Sequence, residues 1–201
     1  MTLLFRLGSC QIQLGFSCFL LLAFSCLFLG TGNGVVFLAA AVCHETAHLL
    51  VLHGLRAPPS WIRLTGLGCR IVPNKTRMLS YGQSVLVSLA GPGCNLLLAG
   101  GMLLIGKTDL PFFSANLILG ALHALPIEPL DGGLALHGLL CAWKGERRGG
   151  KLSLAVSLLC LLPLATLGFW ILLYTRYNFT LLAMSLYLML YLVLKRDYLI
   201  G

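Results

Sequence analysis

Residues 35–53 read VVFLAAAVCHETAHLLVLH, an apolar run that is interrupted by His44, Glu45 and His48 and ends at His53. A transmembrane helix needs about 20 mostly apolar residues, which is close to the length of this run. The sequence therefore predicts a membrane-spanning helix. Because ionisable side chains inside a bilayer are costly and usually serve a function, the interruption predicts a site within the membrane.

The composition of the whole chain agrees with a membrane protein. Of its 201 residues, 58% are apolar and 10% are charged, and the mean hydropathy is +0.92. So few charged side chains cannot cover a soluble globule, and the chain is too apolar to be disordered. An ordinary cytosolic enzyme is thus excluded. The lipid bilayer is the first predicted partner, and we expect no nucleic acid partner, because the basic residues do not cluster on a soluble face.

Five further apolar stretches bring the prediction to six transmembrane helices. The fourth stretch is too long for one span and has Pro126, Pro129, Gly132 and Gly133 in its middle, so we expect a broken helix there. The predicted fold class is an all-α polytopic membrane protein, in which residues 1–201 form a single membrane-embedded domain without a separate soluble domain. The predicted spans lie near residues 12–30, 35–53, 83–105, 112–142, 152–174 and 178–194.

The basic residues separate by membrane side. With six spans, twelve of the 14 Lys and Arg residues fall on one side, and only Lys107 and Arg176 fall on the other. By the positive-inside rule, both termini and two basic loops are predicted to be cytoplasmic. The larger loop, residues 54–81, has alternating polarity around Trp61 and Ile71, so we expect a short β-hairpin there. Its role is either to pair with an extended substrate or to bind anionic headgroups.

The polar residues of the second span have the spacing of a zinc site. His44 and His48 are four residues apart on one helical face, where both imidazoles can reach one Zn²⁺. Glu45, next to the first histidine, is placed to act on a water molecule as a general base. Random placement of the same residues gives this HExxH pattern only about 0.002 times. The alternative is that both histidines form hydrogen bonds between helices and that Glu45 is a neutral structural acid.

A catalytic zinc needs a third protein ligand, for which Asp131 is the best candidate. The chain has only six acidic residues, of which Glu45, Glu128 and Asp131 fall within predicted spans. The last two lie in the broken part of the fourth span, at a membrane depth similar to that of the histidines. His44, His48 and Asp131 supply three ligands and leave a fourth position open. We expect Glu128 not to be a ligand.

Together, two segments of the chain resemble the site-2 protease family of intramembrane zinc metalloproteases. His44–His48 matches the first signature of the family, and residues 125–133, which read LPIEPLDGG, are similar to the second. Residues 90–95, AGPGCN, also resemble the small-residue patch of the family. The resemblance covers about residues 35–142 and is strongest to the stage IV sporulation protein FB type.

The resemblance implies regulated intramembrane proteolysis, in which a membrane-anchored protein substrate is cleaved within or near its transmembrane helix. It implies that His44, His48 and Asp131 are zinc ligands and that Glu45 is the general base. It also implies a multi-pass protein of a bacterial cytoplasmic membrane with a role in sporulation. An inhibitory or regulatory membrane protein is a further expected partner.

One position departs from the family pattern. The second signature of the family usually begins with Asn, where this chain has His123. The imidazole could donate a hydrogen bond to the substrate or to the developing oxyanion, or it could compete for the metal. Two other functions stay open: a catalytically impaired, metal-binding membrane scaffold, and a zinc transporter. For His137, which follows the second signature, we expect a hydrogen bond within the helix bundle.

Overall fold

The structure, a computed structural model, describes residues 2–7, 10–15, 31–57, 59–65, 68–73 and 79–200. Within these ranges the chain forms four strands and six helices. They belong to two compact units. The first unit comprises Met1–Gln83 and Ala90–Ala121, and the second comprises Ser84–Leu89 and Leu122–Gly201.

The first unit contains a four-stranded sheet with the order β1-β2-β3-β4. β1 (Thr2–Leu7) pairs antiparallel with β2 (Cys10–Gly15), and β2 pairs parallel with β3 (Pro59–Thr65). β3 in turn pairs antiparallel with β4 (Gly68–Pro73), within the loop whose alternation predicts a hairpin. Residues of high strand propensity share one row of the register across all four strands. This row consists of Phe5, Ile12, Ile62 and Ile71.

Strand β2 corrects the start of the first predicted transmembrane span. The first predicted span begins at residue 12, but residues 12–15 belong to β2. The rest of that span, residues 16–30, lies outside the described residues. The reason for the difference is local. Gln11 and Gln13 alternate with Ile12 and Leu14, a period of two that suits a strand and that an average over a long apolar window hides.

Three helices begin in the first unit, namely α1 (Thr31–Gly54), α2 (Tyr81–Leu104) and α3 (Pro111–His123). The 24 residues of α1 give a length of about 36 Å, enough to cross the hydrocarbon core of a bilayer. α2 begins with a capping box. The side chain of Ser80 accepts a hydrogen bond from the backbone N–H of Gln83, and the backbone N–H of Ser80 donates to the side chain of Gln83.

The second unit contains α4 (Asp131–Lys144), α5 (Glu146–Thr175) and α6 (Thr180–Ile200). Only Gly145, with a φ of 79°, separates α4 from α5. The span predicted to begin at residue 152 is therefore the later part of a longer helix, whose first turns carry basic residues. The core of this unit is apolar and consists of Ile127, Leu161, Leu188 and Leu192.

Three of the described helical segments are long and apolar enough to cross a membrane, namely Gly32–Gly54, Tyr81–Leu104 and Glu146–Thr175. Two other apolar helices, Pro111–His123 and Thr180–Leu194, are shorter than a typical span. Many large apolar side chains of α2 and α5 are exposed, as expected for helices that face lipid. These features are those of a membrane protein, whereas the count of six spans stays a prediction.

Candidate functional site

His44 and His48 lie one turn apart in α1 and are buried. Their spacing of four residues places both rings on one side of the helix. The two Nε2 atoms are 3.2 Å apart, and the ring centroids are 4.9 Å apart in an edge-on arrangement. Glu45 follows His44 in the same turn and is partly buried. The structure therefore brings the two predicted histidine ligands together, with the predicted general base beside them in the chain.

A polar network outside the HExxH motif contacts the first histidine. Asn95, a fully buried residue of α2, has its Oδ1 atom 2.6 Å from Nδ1 of His44. Its Nδ2 atom donates to the carbonyl oxygen of Ala40 at 3.2 Å and to Oδ1 of Asn116 at 2.7 Å. Asn116, on α3, is also fully buried, and its Nδ2 donates to the carbonyl oxygen of Phe112 at 2.8 Å. The sequence signal that could have indicated this network is an amide side chain within an apolar span, because such an amide is costly in a membrane unless it is hydrogen-bonded.

Helix α2 approaches the two imidazoles most closely at Gly91. A Cβ atom at this position would lie against Nε2 of His48 and would clash with the ring of His44. At Gly93, two residues further along, a Cβ atom would have no neighbouring atom of the described residues within 4 Å. Glycine is thus required at position 91 by close approach. This requirement explains the glycine at position 91 of the small-residue patch at residues 90–95.

The predicted carboxylate ligand, Asp131, is the first residue of α4. A helix N-terminus favours negative charge, which suits an ionised carboxylate at this place. His123, at the end of α3, has its Nδ1 atom 2.7 Å from Oδ2 of Asp131. Both side chains are mostly buried, with 30% and 17% of their surface exposed. The structure therefore brings His123 to Asp131, while a contact of His123 with substrate stays a prediction.

The residues between α3 and α4, 124–130, are not helical and include a cis peptide bond between Glu128 and Pro129. This segment folds back over the first turn of α4. A Cβ atom at Gly132 would overlap the carbonyl group of Ala124, and one at Gly133 would overlap the backbone at Ile127 and Glu128. The apolar stretch 112–142 is thus two helices with a tight connection, which ends at the predicted ligand Asp131.

Glu128 holds this connection to two helices of the second unit. The side chain is 1% exposed, and Oγ of Ser153 on α5 donates to its Oε1 atom at 2.6 Å. Nδ1 of His137 on α4 lies 3.0 Å from the same oxygen, which confirms the expected hydrogen bond of His137 within the bundle. The backbone N–H of Glu128 donates to Oγ of Ser157 at 3.1 Å. These contacts give Glu128 a structural role as an anchor of the segment.

A solved structure has a similar fold. It is the site-2 protease from Methanocaldococcus jannaschii, with a TM-score of 0.60 and 20% sequence identity over 94% of this chain and 92% of that chain. No protein-family model matches the chain, and no curated protein matches it in sequence. At this level of identity the likeness concerns the fold alone: the chain has the fold of an intramembrane site-2 protease.

Proposed function

We propose that this protein is a zinc-dependent endopeptidase that cleaves a membrane-anchored protein within or near its transmembrane helix. The observation that carries the proposal is the pair of Nε2 atoms of His44 and His48, 3.2 Å apart on a helix long enough to cross a membrane. Glu45 lies beside this pair in the sequence, as the HExxH pattern requires. The fold likeness to a site-2 protease supports the same conclusion.

The geometry of the histidine pair fits zinc. Histidine nitrogens bind Zn²⁺ at about 2.0–2.1 Å, so two of them on one tetrahedral ion lie about 3.3 Å apart. The observed separation of 3.2 Å is therefore close to the one that a shared ion requires. We propose Asp131 as the third ligand, because two imidazoles and one carboxylate are a known set for catalytic zinc and leave a position open.

The proposed metal and the residues around it would have different roles in peptide hydrolysis. A bound zinc ion would polarise the scissile carbonyl group and activate water for attack on it. Glu45 would accept the proton of the attacking water and return it to the leaving amine. Burial of His44 and His48 would keep bulk water away from the reacting atoms.

We propose that His123 orients Asp131. Because Nδ1 of His123 lies 2.7 Å from Oδ2 of Asp131, an N–H group there would donate to the carboxylate and restrict its rotation. The predicted contact with the substrate or oxyanion is an alternative role. A third role is direct metal binding, because a neutral imidazole of His123 could also serve as a ligand.

The proposed substrate is a single-span membrane protein, and the proposed location is a bacterial cytoplasmic membrane with both termini in the cytoplasm. The uneven distribution of basic residues supports this orientation. A helical substrate must unwind locally before the active site can reach a peptide bond, so glycine or proline in its helix would favour cleavage. The hairpin of β3 and β4 would then hold the extended segment by strand pairing.

Reconstituted protein and a panel of single-span peptides test the proposal. We expect the wild-type protein to bind zinc and to cleave peptides whose helix contains glycine or proline. Glu45→Gln should keep zinc and lower the cleavage rate by about 10²–10⁴-fold, because the general base is lost. Glu146→Gln, which changes an exposed glutamate of α5, is the matched control and should keep both properties. Cleavage by the Glu45 variant at the wild-type rate would contradict the proposal.

The contact between His123 and Asp131 also favours a second candidate function, a metal-binding membrane scaffold without protease activity. While Asp131 engages Nδ1 of His123, that nitrogen does not donate to a substrate or a developing oxyanion, as the Asn usual at this position of the family signature could. A scaffold would bind zinc and a partner membrane protein, but the wild-type protein would cleave no peptide of the panel. That result, together with normal zinc binding, would favour the scaffold over the endopeptidase.

A further inference from the structure

We infer that Asn95 is a positioning residue that fixes the tautomer of His44, and that Asn116 fixes the orientation of Asn95 in turn. The inference rests on the proposed function, in which His44 binds zinc. It assigns a specific task to two buried amides outside the HExxH motif. The task is to keep Nε2 of His44 without a proton before the metal arrives.

The direction of each hydrogen bond follows from the backbone carbonyl at the outer end of the network. The oxygen of Phe112 can only accept, so the amide nitrogen of Asn116 faces it, at 2.8 Å. Oδ1 of Asn116 therefore faces Asn95, where it accepts a hydrogen bond at 2.7 Å. The orientation of the Asn116 amide is thus set within its own helix.

The amide of Asn95 is oriented by two acceptors. Its Nδ2 atom donates both of its hydrogens, one to the carbonyl oxygen of Ala40 and one to Oδ1 of Asn116. Oδ1 of Asn95 is then the atom that faces His44, and an amide oxygen can only accept. Nδ1 of His44, 2.6 Å away, must therefore carry a proton.

This proton decides which nitrogen of His44 can bind a metal. A neutral imidazole that is protonated at Nδ1 has its lone pair on Nε2. Nε2 is the atom of His44 that lies 3.2 Å from Nε2 of His48. The network thus presets the tautomer and the ring rotation that zinc needs. Loss of such an outer partner of a ligating histidine typically lowers metal affinity by about 10–100-fold.

Both asparagines are buried, so their polar atoms need hydrogen-bond partners within the protein. Asn95 and Asn116 are 0% exposed in otherwise apolar helices, where an unpaired amide would be costly. Among the described residues, no buried side-chain nitrogen or oxygen lacks a hydrogen-bond partner. Helix packing alone would require the contacts of Asn95 with Ala40 and Asn116. The contact with His44 is the one that a positioning role requires in addition.

The test uses Asn95→Leu in the full-length protein in lipid. We expect zinc affinity, measured by competition with a chromophoric chelator, to fall by about 10–100-fold, and the visible spectrum of the cobalt-substituted protein to change. Asn116→Leu should have a smaller effect, because Ala40 still orients the amide of Asn95. Ala99→Gly, at a buried position of the same helix, is the control and should lower the unfolding temperature without a change in zinc affinity.

A second measurement needs no variant at Asn95. The ¹⁵N spectrum of histidine-labelled, metal-free wild-type protein, assigned with His44→Gln, should show His44 protonated at Nδ1. Protonation at Nε2 instead would overturn the inference, as would a folded Asn95→Leu protein with zinc affinity within twofold of wild type and an unchanged cobalt spectrum. Failure of the proposed function would look different, because a wild-type protein with the expected tautomer and no cleavage of any peptide contradicts only the endopeptidase.

Discussion

The α-carbon of Gly91 faces the imidazoles of His44 and His48, where the space for a side chain is already occupied by the two rings. Under the proposed function, zinc ligation would depend on the position of the same rings within a few tenths of an ångström. A single methyl group at position 91 therefore acts on the ligand geometry directly. The effect on the fold as a whole should be smaller, because the displaced atoms belong to side chains.

We expect Gly91→Ala to lower the cleavage rate by about 100-fold, because a displacement of about 1 Å at a reacting centre has an effect of this size. The measurement is the rate on the best peptide of the panel, together with zinc content. Gly93→Ala is the matched control, since a Cβ atom there would meet no atom of the part of the chain that the structure describes within 4 Å. Equal rates for the two alanine variants would show that the close approach has no functional importance.

At the scale of single residues, the sequence predicts those site residues that lie close to one another along the chain. His44, Glu45 and His48 lie within one turn and a half of a helix, so their spacing alone places the two rings together. Asn95 is 51 positions from its histidine partner, and helix packing in three dimensions decides that contact. No periodicity in the sequence encodes such a pair, although an amide in an apolar helix indicates that a partner exists.

At the scale of the elements, the connection between α3 and α4 depends on α5. Two buried serines of α5, Ser153 and Ser157, bond to Glu128. The carboxylate is 1% exposed, so each donor that it loses leaves a desolvated charge or hydroxyl group less well paired. The position of Asp131, which follows three residues later, should therefore be sensitive to changes on a helix that carries no proposed ligand.

We expect Ser153→Ala to lower the free energy of unfolding by about 1–3 kcal/mol, because a buried acceptor loses its hydroxyl donor. Thermal or denaturant unfolding in a fixed detergent measures this change. Ser114→Ala, at an exposed position of α3, should change stability by less than about 0.5 kcal/mol. A loss of stability as small at Ser153 as at Ser114 would count against the anchoring role of Glu128.

The helices were predictable as elements, but several of their ends were not. Apolar composition locates the C-terminal ends of α1 and α2 to within one residue, because both helices end where the apolar run ends. α5 begins at Glu146, before its apolar part, because Arg and Lys are good helix formers that hydropathy excludes from a span. β2 was assigned to a span because hydropathy includes its isoleucine and leucine as apolar residues and ignores that they alternate with polar ones.

At the scale of the whole molecule, metal binding should be linked to stability. A ligand that binds only the folded chain stabilises it by about 2.7 kcal/mol when its free concentration is 100 times the dissociation constant. Under the proposed function, zinc would bridge α1 and α4, which are distant in sequence. Removal of the metal should thus affect the chain as a whole.

We therefore expect 1,10-phenanthroline to lower the unfolding temperature of the wild-type protein by several degrees, and added zinc to restore it. In an Asp131→Ala variant, which lacks the proposed third ligand, the chelator should have little effect. Scanning fluorimetry in one detergent measures both. A chelator effect of the same size in both proteins would separate Asp131 from the metal.

Composition predicts that the molecule is a membrane protein more securely than it predicts the number of its membrane spans. Apolar content and mean hydropathy indicate a membrane protein, and the exposed apolar side chains of the described helices agree. The number of spans depends on helix lengths, and α3 has only 13 residues. A short helix followed by a folded connection is indistinguishable from one long span when only hydropathy is considered.

The junction at Gly145, where α4 passes directly into α5, has a geometric consequence together with the bonds of Glu128. Backbone and hydrogen bonds close a ring from Glu128 through α4 and Gly145 to Ser153. The geometry of this ring depends on the number of residues in it. One extra residue inside α4 would turn one end of the helix by about 100° relative to the other. The direction of the Asp131 side chain thus depends on the number of residues in this ring as well as on the identity of residue 131.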